Sequence, residues 1–343
     1  MNAKWIVALP GMLLSTVSLS AQRTDRKVLG EIDFFGNKGF DVAIIRSALP
    51  FREGDPFPPS GVHSDALKRQ VSDVVNRITG RAATDVAFLC CDSKQNYVIY
   101  IGLRGESYQE LRLDPAPAGS IRLPKAAMKL GDQMGDAWAK AVMNGRAEED
   151  DSTGYSLMKD PQTRKAELAM RDYALKNEAL ILNVLASSSD AEHRATAAVM
   201  LGYGRQSSEQ IDALVRASLD PDSDTRNNAI RALEVLAGAK PELAARIPVE
   251  PLVRLLRSGT WTDHNKVSLL LEALTKRRDQ RTLSALRSQA LDPLIEMARW
   301  RYEGHAEAAI DILARIAGVP EDSVSHMIEA GEKEKIISRL MRQ

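Results

Sequence analysis

The chain has 343 residues, 44% of them hydrophobic and 27% charged, which is enough to bury a sizeable core in two or more units. Forty-six basic side chains balance forty-six acidic ones, and no basic stripe is interleaved with aromatics. This composition argues against gross disorder, nucleic-acid binding and general attraction to an anionic membrane.

The first stretch, "MNAKWIVALPGMLLSTVSLSAQ", places one cation, Lys4, before an uncharged apolar run that ends in small residues. That order predicts a signal peptide over residues 1–21, cut after Ala21, and a soluble exported protein, periplasmic or otherwise extracytoplasmic. The run is short for a bilayer span and is broken by Pro10-Gly11, so a retained anchor is the alternative. No Cys follows the cut to accept a lipid, and no later run is long enough to span.

Residues 28–111 read strand, helix, helix, strand, strand. "VLGEIDFF" is extended and stops at a turn holding Gly36, Asn37, Lys38 and Gly39. Two glycines fall short of the three that a dinucleotide fingerprint needs, and Asp33 and Asp41 would repel phosphate, so backbone conformation accounts for the turn. Asp41 caps a short helix with Val42, Ile45 and Leu49 on one face, and "PFREGDPFPPSG" is a loop. A second helix, N-capped by Ser64, repeats Leu67, Val71, Val74 and Ile78 and closes at Gly80. "DVAFLCCD" and "NYVIYIGLR" form a hairpin, and both helices cover one face of the small sheet. Cys90 and Cys91 are the only cysteines. On a strand one packs inward and the other faces out; a vicinal redox disulfide is the sharper alternative.

The stretch "IDFFGNKGFDVAIIRSALPFREGDPF", with Gly36-Asn37 and then Gly54-Asp55 before Phe57, resembles the POTRA domain, a βααββ module of outer-membrane assembly proteins. The resemblance implies a docking module whose sheet edge accepts a partner strand. Such modules usually occur in tandem ahead of a barrel or membrane segment. This chain carries one copy and neither attachment, so a role in barrel insertion does not carry over.

Residues 112–163 read as a linker with a weak helix bearing Met128, Leu130, Met134 and Trp138, followed by an acidic run, Glu148 to Asp151. The run lacks the alternating carboxylates and turn glycine of a calcium loop and is expected to be solvated. From Arg164 onward the chain is helical and repetitive. "SSSDAEHRATAAVMLGYG" over "LDPDSDTRNNAIRALEVLAG" aligns Arg194 with Arg226 and Leu201 with Leu233 at an offset of 32 residues, and a third unit puts Lys266 at the arginine position 40 further on. In the second of these units Asp222 or Asp224 can accept from free helix amides, and Arg226 can pair with a turn carboxylate of its own or a neighbouring unit. The units resemble HEAT repeats, stacked helix pairs that need neighbours to complete their core and that offer an extended surface to protein partners. The fold expected for the whole chain is α+β followed by all-α: a POTRA-like unit, then a HEAT-like α-solenoid over 164–343 ending in a helical cap.

No catalytic motif emerges. The five histidines, His63, His193, His264, His305 and His326, form no ligand pair, and neither a nucleophile elbow nor a Walker loop is present. No cofactor is expected. Asn227 and Asn228 sit on a repeat helix that amides disfavour, either bridging repeats or touching a ligand. Trp261, Trp300 and Tyr302 are core aromatics or partner anchors. These features favour a non-catalytic exported scaffold that binds a protein or peptide. The alternatives are an enzyme or ligand-binding accessory with a site between 112–163 and the repeats, and a membrane-anchored subunit with an uncleaved N-terminus, as in division complexes.

Overall fold

The structure is a computed structural model that describes residues 27–58 and 63–342. The segment read as a signal peptide lies outside the described residues. Among those residues, no helix is long and apolar enough to cross a membrane.

The chain begins with β1 (Leu29–Phe35), α1 (Val42–Ala48), α2 (Ser64–Thr79), β2 (Val86–Cys90) and β3 (Tyr97–Gly102). Asp41 caps α1 by accepting from the amide of Ala43 at 2.9 Å. The helix after the proline loop is capped by His63 rather than Ser64, with no side-chain bond at the cap, because Ser64 is already its first turn. Gly80 closes it in the left-handed conformation at φ 76°.

Within the sheet, β3 lies between β1, which it pairs in parallel, and β2, which it pairs antiparallel. Side chains alternate along a strand, so the unbroken apolar run at β3 means that both faces of the sheet are covered. Ile99 and Ile101 join Ile32, Phe34, Ile45, Leu67 and Val71 under the two helices. Val98, Tyr100 and Phe35 face the other way, into the core of the helical region. The small unit is thus a layer pressed onto the rest of the chain.

A helix α3 (Lys125–Met143) and a hairpin of β4 (Glu149–Asp150) and β5 (Leu157–Met158) follow. The acidic run expected to be solvated is therefore half in a strand. The helical region comprises α4 (Pro161–Ser187), α5 (Ala191–Leu201), α6 (Ser208–Ala217), α7 (Ser223–Ala239), α8 (Pro241–Ala244), α9 (Val249–Leu255), α10 (Trp261–Thr275), α11 (Gln280–Gln289), α12 (Leu291–Ala298), α13 (Glu303–Ile316), α14 (Glu321–Glu329) and α15 (Lys333–Arg342). Helices α5, α7, α10 and α13 form a row in which each packs on the next. Alanines at 198, 229 and 309, all fully buried, permit that close approach.

Recurrent side chains tie the row together. Arg194 donates to the carbonyl of Ser188 and, through two nitrogens, to Asp220 at 2.7 and 2.9 Å. Arg226 repeats this toward the carbonyl of Asp220 and the carboxylate of Asp263, at 2.9 Å twice. Asp222 caps α7 through the amide and hydroxyl of Thr225; Asp224 lies in the first turn of that helix. In the next unit His264 bonds the carbonyl of Ser258 at 2.8 Å, six residues earlier as in the two arginine units. The arginine position there belongs to His264, not to Lys266, because the bonded carbonyl rather than side-chain charge defines it.

Candidate functional site

Three places on this scaffold carry chemistry: the seam between sheet and repeats, the open edge of the sheet, and a charged cluster under the β4–β5 hairpin.

At the seam the glycine turn holds an anion that the chain itself supplies. Glu296 of α12 accepts from the amides of Gly36 at 2.9 Å, Asn37 at 3.1 Å and Lys38 at 2.8 Å, and from the Ser107 hydroxyl at 2.6 Å. Burial pushes its carboxyl up, and these four donors pull it back. Gly36 has φ 63°, and a Cβ there would lie 2.3 Å from the Leu103 carbonyl oxygen, so only glycine makes this turn. The expectation that the turn serves backbone conformation alone is corrected: it is also a cradle for a carboxylate.

The predicted partner anchors are consumed at the same seam. Trp300 is 2% exposed and its indole donates to the Phe34 carbonyl at 2.9 Å. Trp261 is equally buried, and its amide donates to Asp85 at 3.0 Å. Both pack on Tyr100, whose hydroxyl shares a 2.8 Å hydrogen bond with Nδ1 of His305. Tyr302 stands edge-on to His305 with ring centroids 4.6 Å apart. As anchors for an outside partner Trp261 and Trp300 are corrected: they face this chain's own sheet because Tyr100 and Phe35 project from its second face. Burial and the Lys266 charge push the His305 imidazole down to about 3, so it is neutral at pH 7.

Arg301 completes the seam and closes the β1 edge. Its amide and guanidinium donate to Asp33, and other nitrogens reach Glu53 and the carbonyl of Ile32. Glu53 accepts from the Ile32 amide at 3.1 Å. Gly54 donates to the carbonyl of Leu29, and Asp55 accepts from the Leu29 amide. The Gly54-Asp55 motif therefore seals the start of β1. Among the described residues, only β3 reaches the backbone of Val86–Cys90, so β2 is the open edge of the sheet.

Beneath the hairpin, Arg231 on α7 stacks 4.6 Å from the Trp138 ring and donates to Glu149 and to the Ser156 hydroxyl. Ser156 donates in turn to Glu149 at 2.8 Å. Glu167, fully buried, accepts from the Trp138 indole at 2.6 Å and the Met158 amide at 2.7 Å, which pins α3 and β5 to α4. The acidic run is thus docked through Glu149, whose partners are Arg231 and Ser156. Lys266 and Glu234 share this electrostatic neighbourhood, yet among the described residues no hydrogen bond engages either side chain. Burial, with the nearby Arg231 charge, holds the Lys266 ammonium down to about 8. A cavity of about 30 Å³ lined by Trp138, Ser156, Tyr203, Asn228 and Arg231 opens here, room for a water or two and far below the several hundred Å³ of a metabolite pocket.

Asn228 donates to the Ala195 carbonyl on the preceding row helix at 3.0 Å, and Asn227 donates to Asn228. The Asn228 bond bridges repeats, and Asn227 supports it from the same helix. Among the described residues no group of three or more His, Cys, Asp or Glu side chains is placed to hold a metal ion. Cys90 and Cys91 are joined in a disulfide, not turned to opposite faces. Sequence reasoning missed Glu296, Arg301 and Arg231. Glu296 and Arg231 each offered the signal of a charged residue inside an apolar helical stripe, whereas Arg301 lies in the turn between α12 and α13 and offered none.

No family model matches the chain, and no curated protein matches it. Among solved structures, the chain is similar to the crystal structure of an engineered protein at 19% identity, over 64% of this chain and 96% of that one, with a TM-score of 0.37.

Proposed function

We propose that this chain is a non-catalytic adaptor of the cell envelope, exported by its N-terminal segment, in which a POTRA-like unit rides on a HEAT-like α-solenoid and captures an extended peptide of a protein partner. The observation that carries this reading is the asymmetry of the sheet among the described residues: β1 is closed by Glu53, Gly54, Asp55, Trp300 and Arg301, whereas the outer edge of β2 is unpaired. An unpaired strand edge adds a partner strand through main-chain hydrogen bonds, and side chains at alternate positions supply selectivity. Docking on the repeats holds that edge in one orientation.

A partner recovered from an envelope extract on the immobilised protein, then purified as a complex, provides the test by hydrogen exchange. The amides of Val86–Cys90 gain protection while those of Leu29–Phe35 stay unchanged. Protection confined to the repeat helices, or no reproducible partner, rules the reading out.

One observation favours a second reading, a ligand-binding accessory at the hairpin. Lys266 is an ammonium held at about 8 without a hydrogen bond, and groups kept in such a state cluster at functional sites. The cavity beside it is too small for a ligand unless the hairpin opens, so adaptor function ranks first.

A further inference from the structure

Cys90 and Cys91 end the open edge strand, and nothing in the strand-capture reading uses them. They are neighbours in sequence, both partly exposed, and joined to each other. The Lys27 ammonium lies 3.1 Å from each of the two sulfurs. Lys27 is fixed from behind, since its carbonyl accepts from the Phe57 amide at 3.0 Å, and its charge lies over the Tyr97 ring at 6.0 Å. Asp92, next to Cys91 in sequence, is held by the turn amides of Lys94 at 2.9 Å and Asn96 at 2.7 Å.

A disulfide sulfur needs no cation, whereas a thiolate does. An ammonium within hydrogen-bonding distance lowers a thiol's pKa and stabilises the sulfur that departs when a disulfide is attacked. One cation reaching both sulfurs favours departure of either. We infer that Cys90, Cys91 and Lys27 form a thiol–disulfide exchange site whose substrate is a dithiol or its disulfide. In the reducing direction a donor thiolate attacks one sulfur, the S–S bond breaks and the other sulfur leaves as a thiolate paired with Lys27. The donor's second thiol then displaces the mixed disulfide. Two electrons pass from the donor, which becomes a cyclic disulfide, and its two protons end on Cys90 and Cys91 or in solvent.

The test uses the full chain equilibrated with reduced and oxidised dithiothreitol at a series of ratios, quenched, denatured, alkylated and weighed intact. The bonded form carries no alkyl group and the reduced form carries two, interchanging in one step with no singly alkylated species. Two alkylated cysteines that oxidised dithiothreitol never removes would overturn the site. In the reduced protein, Lys27→Met slows reaction with an aromatic disulfide reagent at pH 7 about threefold, the tenfold loss of thiolate from one pKa unit being partly offset by the greater nucleophilicity of the more basic thiolate. Lys27→Arg stays near the wild-type rate. Equal rates for all three, with unchanged circular dichroism, remove Lys27 from the site. These measurements need no partner, so their failure leaves strand capture untouched, and the reverse also holds.

Discussion

The seam and the hairpin cluster both bring charged groups to the row of repeat helices, and they are built in opposite ways. At the seam the two charges that join sheet to repeats meet opposing donors or acceptors: Glu296 takes four hydrogen bonds, and Arg301 spreads its donors over Asp33, Glu53 and a carbonyl, although Nε1 of Trp261 and one oxygen of Glu31 are buried without a hydrogen bond. Under the hairpin Arg231 and Glu149 pair, yet among the described residues Lys266 and Glu234 make no hydrogen bond and an oxygen of Asp151 is buried without one. Satisfied buried polar groups fix a single geometry, whereas unsatisfied ones cost stability and persist where something other than stability holds them. The seam is accordingly the structural joint. The hairpin is the place where the fold carries charge it does not need.

The sharpest way to break this contrast is at the joint. Trp300→Ala removes a buried indole and leaves the Phe34 carbonyl without its partner. A loss of about 3–5 kcal/mol is expected in urea denaturation, typical of a large aromatic cut from a core. Because Trp300 joins the sheet to the repeats, both should lose stability together. A variant that destabilises only the sheet would show that the two halves fold independently and that the seam is an ordinary contact.

How much of this was legible beforehand follows from how far apart the partners lie. Local rules found what neighbours decide: the order of strand, helix, helix, strand, strand, the Asp41 and Asp222 caps, and the acid–arginine pairing at Arg226. They failed where two correct local readings meet. The glycine turn was recognised as a turn, but its anion, Glu296, lies 260 residues from Gly36. The run at 148–151 was acidic, but which cation would claim Glu149 depended on Arg231, 82 residues away. The both-face burial of β3 was readable from "YVIYIG", an unbroken apolar strand that a sheet wet on one face would not contain. Matching charge puts the repeat register at Lys266, whereas the geometry the three units share, a bond to the carbonyl six residues earlier, puts it at His264.

The second test should move stability the other way. Lys266→Met replaces a part-buried, unbonded ammonium with an apolar side chain of similar length. With its pKa held at about 8 in the fold against about 10.4 in the unfolded chain, the lysine opposes folding most at and below pH 8. That opposition fades as pH rises through this window. At pH 7 the variant should gain about 1–2 kcal/mol, discounted for the exposure the side chain retains, and the gain should shrink by pH 10. A loss of stability instead would mean that Lys266 belongs to a satisfied network like the seam's, and the contrast between the two junctions would fall.

The smallest effect tests whether the two regions are electrically separate. His305 belongs to the seam, with Tyr100, Trp261 and Tyr302 around it, yet the Lys266 charge is one of the causes that keep its imidazole at about 3. A folded-state value below the unfolded value near 6.5 means that the unfolded chain binds a proton the folded one refuses, so stability is full above pH 6.5 and falls as pH drops toward 3. Between pH 7 and 5.5 this single group should cost about 1 kcal/mol, and His305→Gln should flatten that part of the profile. Lys266→Met should shift the His305 proton resonance midpoint upward, because burial remains but the repelling charge is gone. An unmoved midpoint would assign the depression to burial alone and leave the joint and the charged cluster as independent parts.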